Sequence, residues 1–408
     1  MVKYLYVRNG VTAPKGFKAG GVHCGIRKNN KKLDLAMIAS DVPCTAAAVY
    51  TQNLVKGAPI LVTKENLKDG KAQAVICNSG NANTCNADGV EKAQKMCELA
   101  ADALKLKPQD IIVASTGVIG QVLPIEPIET SVPGLAAQIS VDGSEDAAKA
   151  IMTTDTVVKN IAVACVLGGK AVKIGGIAKG SGMIHPNMGT MLCFITTDAA
   201  ISSEALDAAL RKAVDVSFNM VSIDGDTSTN DTCAILANGL AGNEEVTEPE
   251  GTDFETFTEA LTQLCDKLAR TLAKDGEGAS RLLVCNVTSA KDLKNARTAA
   301  KGVICSTLFK AAMFGADANW GRVLCAIGYC GADTDITKVG VSFSSKEGEI
   351  TVCQNGAGIP FSEDDAKKIL SEDEITIDVS LGDGDACATA FGCDLTYDYV
   401  KINGDYRT

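Results

Sequence analysis

The sequence holds two histidines, His23 and His185, and no Cys-x-x-Cys pair. So little histidine narrows nucleophilic chemistry, because a Ser-His-Asp arrangement would have to use one of those two. Sixteen cysteines lie scattered from Cys24 to Cys393; the closest pair is Cys325 and Cys330, with neither histidine nearby. Zinc-type spacing is therefore missing and no metal is expected. No apolar run approaches the ~18 residues that a membrane span needs, so no membrane partner is expected. Positive charge is outnumbered, 39 Lys and Arg against 50 Asp and Glu, for a net charge of −11. That balance argues against a nucleic-acid partner. Met1 to Phe17 carries Lys3, Arg8, Gly10 and Lys15 without an apolar core, which fits neither a signal peptide nor a Ser/Arg-rich presequence. A cytoplasmic protein is expected, its cysteines reduced and mostly buried in apolar runs such as Leu324-Cys325-Ala326-Ile327.

What is present is ordinary globular composition, 46% hydrophobic and 22% charged over 408 residues, enough for one large core or two smaller ones. Short apolar runs alternate with helical periodicity. Strands are expected at 33–38, 73–77, 110–114, 161–167 and 170–177, with loops at Asn78 to Asn83 and from Ser115 to Gly120. Val90, Ala93, Cys97, Ala100 and Leu104 mark a helix, and Ser144 is placed to cap another over 145–152. A helix over 203–219 and a strand over 221–224 follow. Phe254, Phe257, Leu261, Leu264, Leu268 and Leu272 form one long apolar stripe that stops at Asp275-Gly276-Glu277-Gly278. Beyond it come a strand over 282–287, helices near 301–313, 320–329 and 363–370, and strands near 374–380 and 395–402. This alternation predicts a layered α/β fold, with 281–408 as a candidate smaller lobe.

The stretch Lys179-Gly180-Ser181-Gly182-Met183-Ile184-His185-Pro186-Asn187-Met188-Gly189-Thr190 is a Gly- and Pro-rich loop running into Met191-Leu192-Cys193-Phe194-Ile195. The latter is apolar on both faces and reads as a buried strand. Thr190 stands at the junction, behind a Gly189 whose carbonyl no side chain shields. A threonine hydroxyl is a weak nucleophile until a base takes its proton. Cleavage of the Gly189–Thr190 bond would supply that base as the freed α-amine, whose pKa of about 7.7–8.0 leaves a useful neutral fraction near pH 7. The plainer alternative is a Gly-Thr turn ahead of a strand.

Other candidates also carry two readings. Ser115-Thr116-Gly117 is a turn or cap, or else an oxyanion hole made by the Thr116 hydroxyl and the Gly117 amide. Thr153, in Thr153-Thr154-Asp155-Thr156, reads as a polar helix end, Lys179 as a solvated loop lysine and Glu277 as an exposed loop acid. Tyr399 to Thr408 reads as a frayed tail. Lys179-Gly180-Ser181 inverts the order that a phosphate loop requires. Asp224-x-Asp226-x-Ser228 has Thr229 and Ile235 where a calcium loop needs Gly and Glu.

The whole string from Lys179 to Leu192 resembles the signature of the ornithine acetyltransferase family of arginine biosynthesis, with Gly189 where its members usually carry Ala. Ala48 to Asn53, Asn78 to Asn83, Ile151 to Thr156, Ile223 to Thr232, Gly315 to Arg322 and the C-terminus resemble the family in the same order. The resemblance implies an N-terminal-nucleophile-like α/β fold. It also implies self-cleavage at Gly189–Thr190 into chains 1–189 and 190–408, and an α2β2 assembly. Thr190 would be the nucleophile and Thr116 and Gly117 the oxyanion hole. Thr153, Lys179, Thr190, Glu277, Asn403 and Thr408 would bind substrate. The implied reaction moves an acetyl group from N2-acetylornithine to glutamate without a cofactor, with acetyl-CoA a candidate second donor. A hydrolase or aminopeptidase using the same threonine, and a ligand-binding protein without chemistry, are the alternatives.

Overall fold

A computed structural model of the chain describes residues 4–185 and 191–405. Among the described residues, nine strands form one sheet and seven another. The first sheet runs Tyr4–Val7, Lys159–Leu167, Lys170–Lys179, Leu192–Thr197, Thr232–Ala237, Leu35–Tyr50, Lys71–Asn81 and Ile111–Val118, and Phe17–Val22 pairs with Leu35–Tyr50. The second runs Ala357–Gly358, Gly348–Gln354, Gly340–Ser345, Glu374–Ser380, Leu282–Ala290, Ala386–Cys393 and Val221–Ser222.

Helices Ser203–Val216 and Thr252–Lys274 lie between the sheets. Their core includes Val172, Ile174 and Ile195 from the first sheet, and Leu282, Val284 and Phe391 from the second. The Phe254-to-Leu272 stripe is buried here from end to end. Helices Leu293–Cys305, Thr307–Phe314, Trp320–Tyr329 and Glu363–Leu370 contribute to the core on the far side of the second sheet. Helix Ser144–Ile151 covers the far side of the first, while Gly89–Leu104 and Glu126–Gln138 pack on the opposite face of strands Leu35–Tyr50, Lys71–Asn81 and Ile111–Val118. The result is the layered α/β class that the alternation predicts.

Strand Leu192–Thr197 explains its own apolar sequence. Leu192 and Phe194 enter one core, while Cys193 and Ile195 enter the other. Both faces are buried, so period-two alternation gives no polar face. Its parallel partner Thr232–Ala237, which the sequence pattern does not predict, divides Ala234 and Leu236 from Cys233 and Ile235 in the same way.

Several expectations need correction. The strand expected at 73–77 runs on to Asn81, and that expected at 110–114 runs on through Ser115, Thr116 and Gly117 to Val118. Lys179 is the last residue of a strand, paired with Leu192, rather than a loop lysine. Ser144 opens its helix without capping it; its hydroxyl accepts the Val11 amide and donates to Asn160. Residues 397–405 form a helix, where a strand was expected. Thr396 caps it, its hydroxyl accepting the Tyr399 amide at 3.4 Å and donating to the Gly278 carbonyl at 2.6 Å. Cys325 is exposed, as are Cys85 and Cys387, because the helix that carries Cys325 turns it away from buried Ala326 and Ile327. No helix among the described residues is long and apolar enough to cross a membrane.

Candidate active site

Six candidate residues fall within the described chain: Thr116, Gly117, Thr153, Lys179, Glu277 and Asn403. All six line one cleft of ≈ 140 Å³. They arrive from five separate segments, brought together by the edge of the first sheet, the end of the long helix and the C-terminal helix. Gly189, Thr190 and Thr408 lie outside the described residues.

Thr116 and Gly117 sit where strand Ile111–Val118 meets an irregularity of its neighbour at Gly80 and Asn81. Gly117 has φ +132°, and a Cβ there would lie 2.4 Å from the Gly80 carbonyl carbon. Only glycine permits this approach. Gly182 plays a similar part, since a Cβ on it would fall 2.4 Å from the Glu277 carboxyl group. The Glu277 amide donates to the Ser181 carbonyl at 2.8 Å, and the Ser181 hydroxyl lies 2.6 Å from that of Thr154. Asn403 reaches back from the C-terminal helix to donate to Glu277 at 2.8 Å.

Lys179 is nearly buried. Its Nζ is 3.4 Å from the Thr116 hydroxyl and 3.9 Å from the Asp155 carboxylate. Burial pushes the ammonium pKa down and Lys159 adds to that, while Asp155 and Asp231 work against it. Burial would raise the Asp155 pKa, but the Lys179 and Lys159 ammoniums and the Gly180 amide hold it well below the usual carboxylate range.

The loop over 223–232, for which the sequence suggested no role, supplies Ser228, Thr229 and Asn230 to the cleft. Asn230 uses both ends of its amide. Nδ2 donates to the carbonyls of Ala82 (2.6 Å) and Ser115 (2.9 Å), and Oδ1 accepts from the hydroxyls of Thr84 and Thr229, each at 2.6 Å. It clamps the residue before Thr116 to the neighbouring loop. Each buried polar group stripped of its partner costs about 1–3 kcal/mol. Asn230→Ala is therefore expected to destabilise the protein by about 3 kcal/mol or more, which calorimetric unfolding would read as a lowered Tm. An unchanged Tm would show that the clamp is dispensable.

The carboxylate of Asp224 is spent on the loop ahead of Pro186, accepting the amides of Met183 at 2.6 Å and Ile184 at 2.9 Å and the Tyr399 hydroxyl at 3.3 Å. Neither histidine lines the cleft. His185 points to Ser222 (3.1 Å) and Cys305 (3.5 Å). Burial and the Lys301 ammonium push its pKa down to about 4, against the pull of Asp224, so the ring is neutral near pH 7. His23 lies 2.9 Å from the Lys32 carbonyl and 3.4 Å from Asp34.

The sequence reading passed over Asp155, Lys159, Asp275 and Asn230. Asp155 and Asp275 had a signal, each standing two residues from a candidate. Asn230 stands inside the Ile223-to-Thr232 string that resembles the family, with no role suggested there, and Lys159 has no sequence signal, because the roles of both lie in contacts with distant segments.

A small polar cleft with a buried cation, an acid and paired donors at a strand end carries groups that can hold a small charged molecule. Comparison with known proteins agrees. Residues 18–408 match the ArgJ family. The arginine biosynthesis bifunctional protein ArgJ of Symbiobacterium thermophilum is 50% identical over 405 residues, covering 99% of this chain and 100% of that protein. Its namesake from Caldanaerobacter subterraneus subsp. tengcongensis is 48% identical over 400 residues, covering 98% of each. A crystal structure of arginine biosynthesis bifunctional protein ArgJ from Bacillus halodurans, 42% identical, covers 52% of this chain and 97% of that one with a TM-score of 0.49. The chain belongs to the ArgJ family. It is an acyltransferase of arginine biosynthesis, of the glutamate N-acetyltransferase class that the resemblance implied.

Proposed function

We propose that the chain cuts itself between Gly189 and Thr190 and then transfers the acetyl group of N2-acetylornithine to glutamate through an acetyl-Thr190 ester. The observation that carries this reading is the convergence of Thr116, Gly117, Thr153, Lys179, Glu277 and Asn403 on one cleft. Met183, from the loop that leads to the cut, lines the same cleft, and the strand that follows the cut pairs with Lys179 through Leu192.

In self-cleavage the Thr190 hydroxyl attacks the Gly189 carbonyl. The Gly189–Thr190 amide becomes an ester as the C–N bond breaks and the Thr190 amine is freed, and water then splits the ester to give a Gly189 carboxylate and the Thr190 hydroxyl. In transfer that amine takes the hydroxyl proton, and the oxygen attacks the acetyl carbonyl. The Thr116 hydroxyl and Gly117 amide hold the oxyanion. Ornithine leaves with a proton on its α-nitrogen. The α-amine of glutamate then attacks the ester, and N-acetylglutamate departs. Lys179 suits the substrate carboxylate, and Glu277 with Asn403 suits the side-chain ammonium of ornithine. That neither histidine lines the cleft favours the α-amine as base. Acetyl-CoA fits the scheme as a second acetyl donor to the same threonine, and an α2β2 assembly of cut chains is part of the proposal.

The test is direct. N-terminal sequencing of purified protein should find a fragment beginning Thr190-Met191-Leu192. Mixing with N2-acetylornithine without glutamate should add one acetyl group to that fragment's first peptide. Two amino acids taking turns in one pocket should give parallel double-reciprocal lines. Intersecting lines with no acetylated peptide would overturn the covalent route. Release of acetate without N-acetylglutamate would assign a hydrolase.

A further inference from the structure

Behind the cleft runs a chain of four charges, with Lys179 in the lining and Asp155, Lys159 and Asp275 outside it. The side chains of Asp155 and Lys159 are fully buried, and those of Asp275 and Lys179 are 3% and 10% exposed. Asp155 accepts Lys159 Nζ at 2.8 Å, the Gly180 amide at 2.6 Å and the Thr153 amide at 3.0 Å. Asp275 accepts Lys159 Nζ at 2.5 Å, the Thr156 amide at 3.1 Å and hydroxyl, and the Val157 amide at 3.3 Å.

Each member is attached to a wall of the cleft. Asp155 holds the amide of Thr153 itself and the amide next to Lys179. Asp275 stands two residues before Glu277. Lys159 joins the two aspartates. Asp155 and Lys159 precede the proposed cut and Asp275 follows it, so the link also spans the two fragments. Desolvating so many charges is costly, and apolar residues of similar volume often stabilise a core as well or better. A network of this kind beside a cleft is therefore better explained by what it positions than by stability.

We infer that Asp155 and Lys159 are positioning residues for acyl transfer. Through Lys159, the two aspartates fix Thr153 and Lys179 on one wall against Glu277 on the other, and Asp155 keeps Lys179 a cation for the substrate carboxylate. The inference rests on the functional reading above. The charged and titratable groups facing Lys179 are Asp155, Lys159, Asp231, Arg27 and Cys77. Burial, Lys159 and Arg27 disfavour its proton; Asp155 and Asp231 favour it.

The sign follows. Removing the Asp155 charge lowers the Lys179 pKa further, so the cation is lost at lower pH than in wild type. Above that point, binding that depends on the cation weakens about tenfold per pH unit. Asp155→Asn is expected to keep kcat and to show a KM for N2-acetylornithine that begins to climb at lower pH than in wild type. Asp155→Glu, which keeps the charge, should restore the wild-type pH profile. If Asp155→Asn does not fold, Lys159→Gln carries the test. It keeps a donor between the aspartates, removes the charge, and should raise KM for both substrates at every pH while kcat holds. Superimposable KM profiles for the variants and wild type, or a loss in kcat that tracks Tm with KM unchanged, would overturn the positioning role. A wild-type protein that moves no acetyl group from N2-acetylornithine to glutamate would instead sink the functional reading, before any variant is compared.

Discussion

Thr190→Ala is expected to purify as one uncut chain of 42.3 kDa that transfers no acetyl group. The hydroxyl is used twice, first against the Gly189 carbonyl and then against the acetyl carbonyl, and the base for the second step exists only after the first. One substitution therefore removes cleavage, nucleophile and base together. Loss of the nucleophile in acyl-transfer enzymes costs on the order of 10⁶ in turnover, so activity should fall to background. The fold should survive, because Leu192–Thr197 is held by strand pairing on both sides and by two apolar cores, none of which needs the cut. Thr190→Ser keeps a hydroxyl and should still cut. Gel electrophoresis, an acetyl-transfer assay and a Tm separate these outcomes. An uncut Thr190→Ala chain that retains turnover would remove Thr190 from the chemistry.

The layers were legible where burial imposes a simple period. The Phe254-to-Leu272 stripe marks a helix because five turns must all meet apolar neighbours, and Glu363–Leu370 and Glu374–Ser380 fell where the pattern put them. Legibility failed where local preference and tertiary contact disagree. Leu395 to Ile402 is rich in β-branched and aromatic residues, a strand composition, yet it becomes helix once Thr396 ties to Gly278 and caps it. Ser115-Thr116-Gly117 reads as a turn because of its glycine, yet that glycine lets the strand continue past the irregularity at Gly80.

The site divides along the same line. Thr116, Thr153, Lys179, Glu277 and Asn403 stand in strings that resemble a family, so the sequence alone names them. It does not place them in one cleft, because that depends on contacts such as Lys159 to Asp275, 116 residues apart. A buried lysine looks like a surface lysine in a sequence, and only its partners distinguish the two. Asn230 is similar: an asparagine in a polar loop, three of whose four hydrogen bonds appear only when Ala82, Thr84 and Ser115 are folded against it.

Thr116→Ala should lower kcat about 10²- to 10³-fold, the usual cost of one lost oxyanion donor, while KM moves much less. The Thr116 hydroxyl lies 3.4 Å from Lys179 Nζ, with Lys179 as donor, so its own proton is available to a developing oxyanion in the cleft. The substrate carbonyl gains most from that donor when its oxygen becomes negative, which places the effect in kcat rather than in binding. Gly117 still offers its amide, so the loss should stay well short of that for Thr190→Ala. Removing the amide's contribution by mutating Gly117 is no clean control, since any Cβ there meets the Gly80 and Asn81 backbone at 2.4–2.6 Å. Thr116→Ser keeps the hydroxyl and should retain most of the rate, whereas Thr116→Val keeps the shape without the donor and should behave like alanine. Each variant is compared only after its preparation is shown to be cut to the wild-type extent, because an uncut fraction lowers apparent kcat without touching the oxyanion. Fully cut Thr116→Ala with wild-type kcat would take Thr116 out of the mechanism and leave Gly117 to act with a different donor.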